Sequence, residues 1–537
     1  MRSKSLLFLI SLILFIAPAI YSQPLFSTYY SPLSGQPTSL LFLEIDFSSA
    51  RLQGLGYQLY PVIQDTITNL FRNPVTIYNI ENRKIYLQVE NAIGRYRTSA
   101  GPTYSTSQFN YNLFKVDIPY LSFGFWSAKS FLFNRPVGIF ISGVHHRNFD
   151  NNNRYEPTTS MLANNNYLEY TRKYNYETKI DEIFSRLWLG LVNNSKFSLA
   201  LSYQYTYHDY PNFTILSENY TRIMDMYFSQ QHEIFNREDH PYRLKYHRII
   251  LGGKTYYKKW KIESDIQYLN FNEKTKQERK NTEISKTYLT SNPDSLSNMH
   301  SYKFELKKDF NPISSFGALN IQANKNNWIL FLSVLYGQVT MDDHDQSCVN
   351  QFLTDNQDTL AKDIGKFSSK FSDAGDLIRT KLGIGKQYQF KRILDIYTAL
   401  IFDLSRFSIT GNIPAHDYYY IMEYQSQPMI TDTTSSNKIT YSSTDYRIYL
   451  PLGWEINYKN FMVRLGLTWY YYSESFERSL KSYKSTYIEK RRSEFSDIYR
   501  QEFFGLGYKY KKAEIQLATF GNVFDFNLWN VSCQYSF

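Results

Sequence analysis

Between Tyr446 and Tyr458 apolar and polar positions alternate. Tyr446, Ile448, Leu450, Leu452, Trp454, Ile456 and Tyr458 form one series, and Arg447, Tyr449, Pro451, Gly453, Glu455 and Asn457 the other. From Phe461, the series Phe461, Val463, Leu465, Leu467, Trp469 opposes Met462, Arg464, Gly466 and Thr468. Trp260, Ile262, Ile266 and Tyr268 oppose Lys261, Glu263, Asp265 and Gln267, and Phe504, Leu506, Tyr508 and Tyr510 oppose Gly505, Gly507 and Lys509. Phe197–Tyr205 and the chain end, Asn527–Phe537, follow the same rule. Successive side chains of a strand point to opposite faces, so a period of two predicts strands with one apolar face. A helix would repeat at three and four.

The connectors between these stretches alternate in length. Short ones fall at Asn194–Ser195, Lys258–Lys259, Asn326–Asn327, Lys391–Arg392, Lys459–Asn460 and Lys511–Lys512. Long polar ones cover 95–114, 149–178, 210–243, 277–299, 341–376, 411–440 and 479–495. Short turns on one side and long loops on the other are the habit of outer-membrane barrels, with the long side extracellular. The pattern predicts an all-β chain: a transmembrane antiparallel barrel of about sixteen strands over 83–537, or fourteen if one hairpin is lost from 301–325 or 114–142. The last strand closes on the first, near Arg83–Gly94, and leaves no edge. In such a wall Lys254, Glu263, Asp265, Asp395, Asp403, Arg447, Glu455, Arg464 and Lys509 face the lumen, because each stands opposite an apolar series. There they could form a charged field that selects solutes, or a salt-bridged lumen that conducts nothing.

Composition agrees with a membrane barrel. The chain has 537 residues, 18% of them aromatic, yet its mean hydropathy is −0.45. Aromatic girdles account for the first property, and polar loops and a polar lumen for the second. No segment reads as a transmembrane helix; the long apolar run Trp328–Tyr336 has strand length. Arg2 and Lys4, the apolar run Leu6–Ile16 and the small Ser22 predict a signal peptide over 1–22, with a new N-terminus at Gln23. The net charge of +10 is scattered, much of it in tight turns, which argues against nucleic acid. Cys348, placed in a polar loop, and Cys533, on the apolar side of the last strand, form no disulfide framework.

Residues 23–82 alternate poorly. Within Ala50–Tyr78, the residues Ala50, Arg51, Gly54, Gly56, Asp65, Asn69, Asn73 and Pro74 resemble the N-terminal hatch of the long-chain fatty-acid transporter superfamily. That superfamily includes related barrels of Bacteroidota secretion systems. Val75 stands where the family has Ala, and no third Gly accompanies Gly56. The resemblance implies a plug inside the barrel and a hydrophobic cargo that leaves toward the wall. Read from the residues alone, the segment is equally a periplasmic lead-in with a helix from about Val62 to Arg72. It is too short for the globular plug of energy-coupled receptors, which accompanies about 22 strands. The terminal Phe537 resembles the signal read by the barrel-insertion machinery of Gram-negative bacteria.

Candidate chemistry is thin. His208–Asp209, His344–Asp345 and His416–Asp417 each open a long connector, but adjacent strand residues point apart, so these read as solvated loop residues. His145–His146 has the same fault. The acidic run 341–346 lacks the spacing of a calcium loop, and no zinc spacing or phosphate cradle occurs. No cofactor or metal is expected. The function expected is passage of a small or hydrophobic substrate across the outer membrane. The alternative is a non-transporting barrel that scaffolds a surface or secretion complex, and a barrel hydrolase ranks last.

Overall fold

The computed structural model describes residues 49–63, 65–91, 119–129, 134–150, 158–162, 166–210, 212–223, 228–239, 242–289, 292–311, 313–355, 358–390, 393–423, 427–481, 488–520 and 529–537. The signal peptide and the hatch residues before Ser49 lie outside them. The wall begins with β1 (Lys84–Asn91), β2 (Pro119–Ser127), β3 (Val137–Asp150) and β4 (Thr158–Leu162). It continues through β5 (Asn166–Asn193), β6 (Phe197–Tyr210), β7 (Asn212–Ile223), β8 (Phe228–Asp239), β9 (Tyr242–Tyr257) and β10 (Trp260–Leu289). Then come β11 (Asn292–Phe310), β12 (Ile313–Lys325), β13 (Trp328–Asp355), β14 (Asp358–Phe390) and β15 (Leu394–Glu423). The circuit ends with β16 (Met429–Tyr458), β17 (Phe461–Lys481), β18 (Ile488–Tyr510), β19 (Ala513–Phe520) and β20 (Trp529–Ser536).

These segments make sixteen antiparallel strands, because four of the strands are interrupted. Along β5, the pair Asp181↔Asp209 in β6 is followed by Thr178↔Asn212 in β7, in unbroken register. Along β10, Thr275↔Tyr242 in β9 leads to Glu278↔Asp239 in β8, and Asn272↔Ile313 in β12 to Thr275↔Phe310 in β11. β3 and β4 likewise share β5 as partner. The sequence has Pro211, Pro241 and Pro312 at three of these interruptions, and proline has no N–H to give a ladder. β1 pairs with both β2 and β20, which closes the ring.

The outer face carries the apolar series. Ile266 is 64% exposed and Leu382 54%, and Tyr446, Leu450 and Tyr458 also face outward. On β16 this band runs from Tyr446 to Tyr458; beyond it the outward positions are Thr444, Ser442 and Thr440. A belt of that height, bounded by tyrosines, matches the roughly 9–11 tilted residues that cross hydrocarbon. Among the described residues no helix is long and apolar enough to cross a membrane.

Where the long polar connectors are described they are strand and not loop; 95–114 lies outside the described residues. Over 341–376, β13 runs to Asp355 and β14 starts at Asp358, paired throughout. Cys348 therefore lies on β13 rather than in a loop. The wall stands as a crown beyond the membrane belt. Its outer face is polar there, while its inner face is buried at the base, at Phe371, Ile413, Ile439 and Tyr441, and half-exposed higher up, so the hydropathy alternation that marks the belt fades along it while the pairing continues. The turns at the opposite rim hold Lys258 (φ 52°), Asn326 (φ 50°), Asn327 (φ 67°), Lys459 (φ 54°) and Lys511 (φ 52°) in the left-handed region. That conformation suits a right-twisted hairpin, and Asn tolerates it best of these residues.

Candidate functional site

The segment before β1 is coiled inside the barrel, in the half nearest the short turns. Helix α1 (Ala50–Leu55) is capped by Ser49, whose Oγ accepts the Leu52 N–H at 3.2 Å. It stops at Gly56, whose φ of 103° few other residues could adopt. Helix α2 (Thr66–Arg72) is capped by Asp65, which accepts the Thr68 N–H at 2.8 Å. The Asn73 Oδ1 accepts the Val75 N–H at 3.0 Å and so starts a 3₁₀ turn over Pro74–Asn79. The same amide donates through Nδ2 to the Ser264 carbonyl at 3.1 Å. Four of the five hatch-motif residues thus have a local physical role: two caps, a helix stop and a proline at a turn start.

Gly54 has its role at the wall. A Cβ added there would lie 2.8 Å from the Gly505 Cα. Further wall glycines leave room for the segment: Gly466 faces the Leu55 carbonyl, Gly453 faces Leu59, Gly385 faces Val62, and Gly252 faces Asn73 and Pro74.

Apolar packing completes the seat. Phe71 meets Phe140 edge-on at 4.9 Å and Trp188 at 5.1 Å, and the Trp188 indole N–H donates to the Leu70 carbonyl at 3.0 Å. Leu52, Leu55, Leu59, Val62 and Ile63 form a second buried cluster with Phe331, Tyr397, Tyr449 and Tyr470.

Ion pairs tie the hatch to the wall. Arg51 grips Glu455 at two points, Nε to Oε2 at 3.0 Å and Nη2 to Oε1 at 2.8 Å, and donates to the Tyr397 hydroxyl at 3.2 Å. From the neighbouring strand, Arg464 Nε donates to the same carboxylate at 2.6 Å. Arg72 stands 3.6 Å from Glu263, which Lys261 also meets at 2.6 Å. Beside this group lies a cavity of about 290 Å³ near the short-turn rim, with Arg51, Glu455, Lys459, Arg464, Lys509 and Glu514 in its lining.

All the charged residues that alternation assigns to the lumen stand on the inner face, by register with the hatch-facing positions. They do not form one ring. Glu455, Arg464 and Lys509 share the cavity lining, and Asp395 is the cross-strand partner of Glu455. Glu263 and Lys254 are cross-strand partners below Asp265, which accepts from Gln267 at 2.5 Å and Asn320 at 2.7 Å. Asp403 is clasped by Arg379 at 2.9 and 2.5 Å, and its cross-strand partner Arg447 lies over the Tyr472 ring at 5.1 Å. Glu263, Asp403 and Glu455 are held in ion pairs, and Asp265 and Asp395 accept from amides.

The inner face is also less wet than alternation predicts. Beyond the hatch, Leu244, Tyr246, Leu269, Phe271, Leu335, Val339, Phe407 and Ile409 form part of one buried apolar cluster spanning β9 to β16.

Arg51, Arg72, Arg379 and Glu514 escaped the sequence reading as ionic partners. Arg379 was open to detection, since it opposes Ile378 and Leu382 in the β14 alternation. Arg51 stands out in the sequence only through the hatch motif.

The histidine pairs separate, as adjacent strand residues must. His208 is not a solvated loop residue. It is buried on the inner face with Nδ1 3.4 Å from Glu182, while Asp209 meets Arg243 at 3.2 Å. His416 sits in the crown, 2.6 Å from Asp432, and His344 contacts Gln346 at 3.3 Å. The side chains of His145 and His146 lie outside the described residues. Among the described residues no cluster of three His, Cys, Asp or Glu side chains could hold a metal ion.

No family model matches the chain, and no curated protein matches it. Solved structures similar to it include the outer membrane transporter YddB from Escherichia coli, at 7% identity over 85% of this chain and 81% of that one, with a TM-score of 0.25. The FrpB iron transporter from Neisseria meningitidis matches at 7% identity over 87% and 83%, with a TM-score of 0.24. The outer membrane protease OmpT from Escherichia coli matches at 10% identity over 64% and 97%, with a TM-score of 0.17. Likeness at these scores decides neither strand number nor activity.

Proposed function

We propose that this chain is an outer-membrane barrel that passes a small, hydrophobic substrate, with the hatch as its closure. The observation that carries the reading is the order of surfaces along the inner wall. The apolar cluster of β9 to β16 comes first, and the hatch is seated below it on glycines, aromatic rings and a few ion pairs. The side chains of that cluster are packed against one another, and a solute that parts them would meet an apolar lining that a water-filled channel lacks. The Ala50–Tyr78 resemblance to the fatty-acid transporter hatch points to the same cargo class and to a Bacteroidota source. No covalent step is required.

The test is uptake into liposomes that hold the full chain. A fluorescent long-chain solute is expected to enter faster than into empty liposomes, and a polar sugar of similar mass is not. Equal rates for the long-chain solute with and without protein would reject the reading.

The crown favours a second reading. β14 spans 33 residues, about three times what the bilayer needs. A scaffold for a surface or secretion complex would use that height. Stable co-purification of a partner, with liposomes that stay closed to both solutes, would select it.

A further inference from the structure

We infer that the cavity at the short-turn rim is a binding site for a compact oxyanion, a phosphate or carboxylate group. Three observations carry this. First, the lining has two more cations than anions: Arg51, Lys459, Arg464 and Lys509 against Glu455 and Glu514. Second, both carboxylates already have donors. Glu455 lies between Arg51 and Arg464, and Glu514 accepts from Gln516 and from Gln534 at 2.7 Å. Third, the Arg464 side chain is 0% exposed, and its Nη1 has no acceptor among the described residues.

A buried guanidinium nitrogen without an acceptor carries a large desolvation penalty. Of the lining side chains, Met462 alone is apolar, and its sulfur lies 3.4 Å from Arg464 Nη2. A thioether there is a weak and mobile cover. An oxyanion that displaces it gains the Nη2 donor directly and brings an acceptor to the adjacent Nη1 of the same guanidinium, while Lys459 and Lys509 at the exposed mouth supply the attraction that brings it in. The anion has two candidate sources, free phosphate and the carboxylate head of an amphiphile.

Calorimetric titration of the full chain in neutral detergent, at fixed ionic strength, tests the site with sodium phosphate, acetate and octanoate. Saturable binding of at least one anion is expected. The K459Q/K509Q double variant and R464K, each checked for intact barrel content by circular dichroism, should each weaken it at least tenfold. Phosphate as the tightest ligand assigns the site to the free ion, and octanoate bound more tightly than acetate assigns it to an amphiphile head. No saturable heat with any of the three, or wild-type affinity in either variant, overturns the proposal. The measurement involves no transport, so its failure would leave the transport reading standing, and the reverse also holds.

Discussion

The Cα of Gly505 stands 2.8 Å from the point where a side chain on Gly54 would begin, so hatch and wall touch backbone to backbone. A methyl group cannot enter without moving α1 or β18. Gly54→Ala is therefore expected to lift α1 from its seat at a cost of about 1–3 kcal/mol, the usual penalty of overpacking. Limited proteolysis checks it: the variant should be cut before β1 while the barrel band survives.

Glu455 is the acceptor for two guanidiniums, one from the hatch and one from the wall. Glu455→Gln removes the charge and leaves both cations in a buried setting. Breaking such a network by one partner costs about 3–5 kcal/mol. The expected result is a looser hatch, read as larger and more frequent current steps in a planar bilayer than the wild type gives.

Phe71 anchors the other half of the hatch between Phe140 and Trp188. Phe71→Ala should cost about 3–5 kcal/mol, the range for emptying a buried aromatic site. The loss should fall on the hatch and spare the wall. Hydrogen exchange is then expected to quicken over 66–80 and to stay unchanged over 446–458.

The belt itself can be tested on one strand. Leu452 lies midway between Tyr446 and Tyr458 on the outer face of β16, and Ser442 faces outward beyond the belt. Leu452→Arg is expected to cost about 2–4 kcal/mol, and Ser442→Arg about 0–1. Urea titration of barrels refolded into lipid vesicles separates the two. Equal costs would mean that no hydrocarbon surrounds Leu452.

The belt was legible because hydrocarbon outside and polar groups within impose contrast on every second residue, as Leu450 and Glu455 show. The upper crown was not, because polar residues occupy both of its faces there. Lys362 and Asp363 are neighbours on opposite faces of β14, and neither is apolar. The apolar inner cluster escaped for the converse reason. Around Ile249 and Ile250 both faces are apolar, and a continuous run carries no parity. The hatch was legible in its caps and glycines, which are local. Its ionic partner was not, since Glu455 lies 404 positions from Arg51 and nothing in either neighbourhood names the other.

Asn73 uses the two ends of one amide for two tasks, starting the turn that follows α2 and holding the Ser264 carbonyl of β10. A seven-residue helix has little stability alone in water. Part of what shapes this one belongs to a ribbon almost two hundred positions later in the chain. The stopper therefore completes its shape only in contact with the vessel, because part of the frame for its turn is built into the wall.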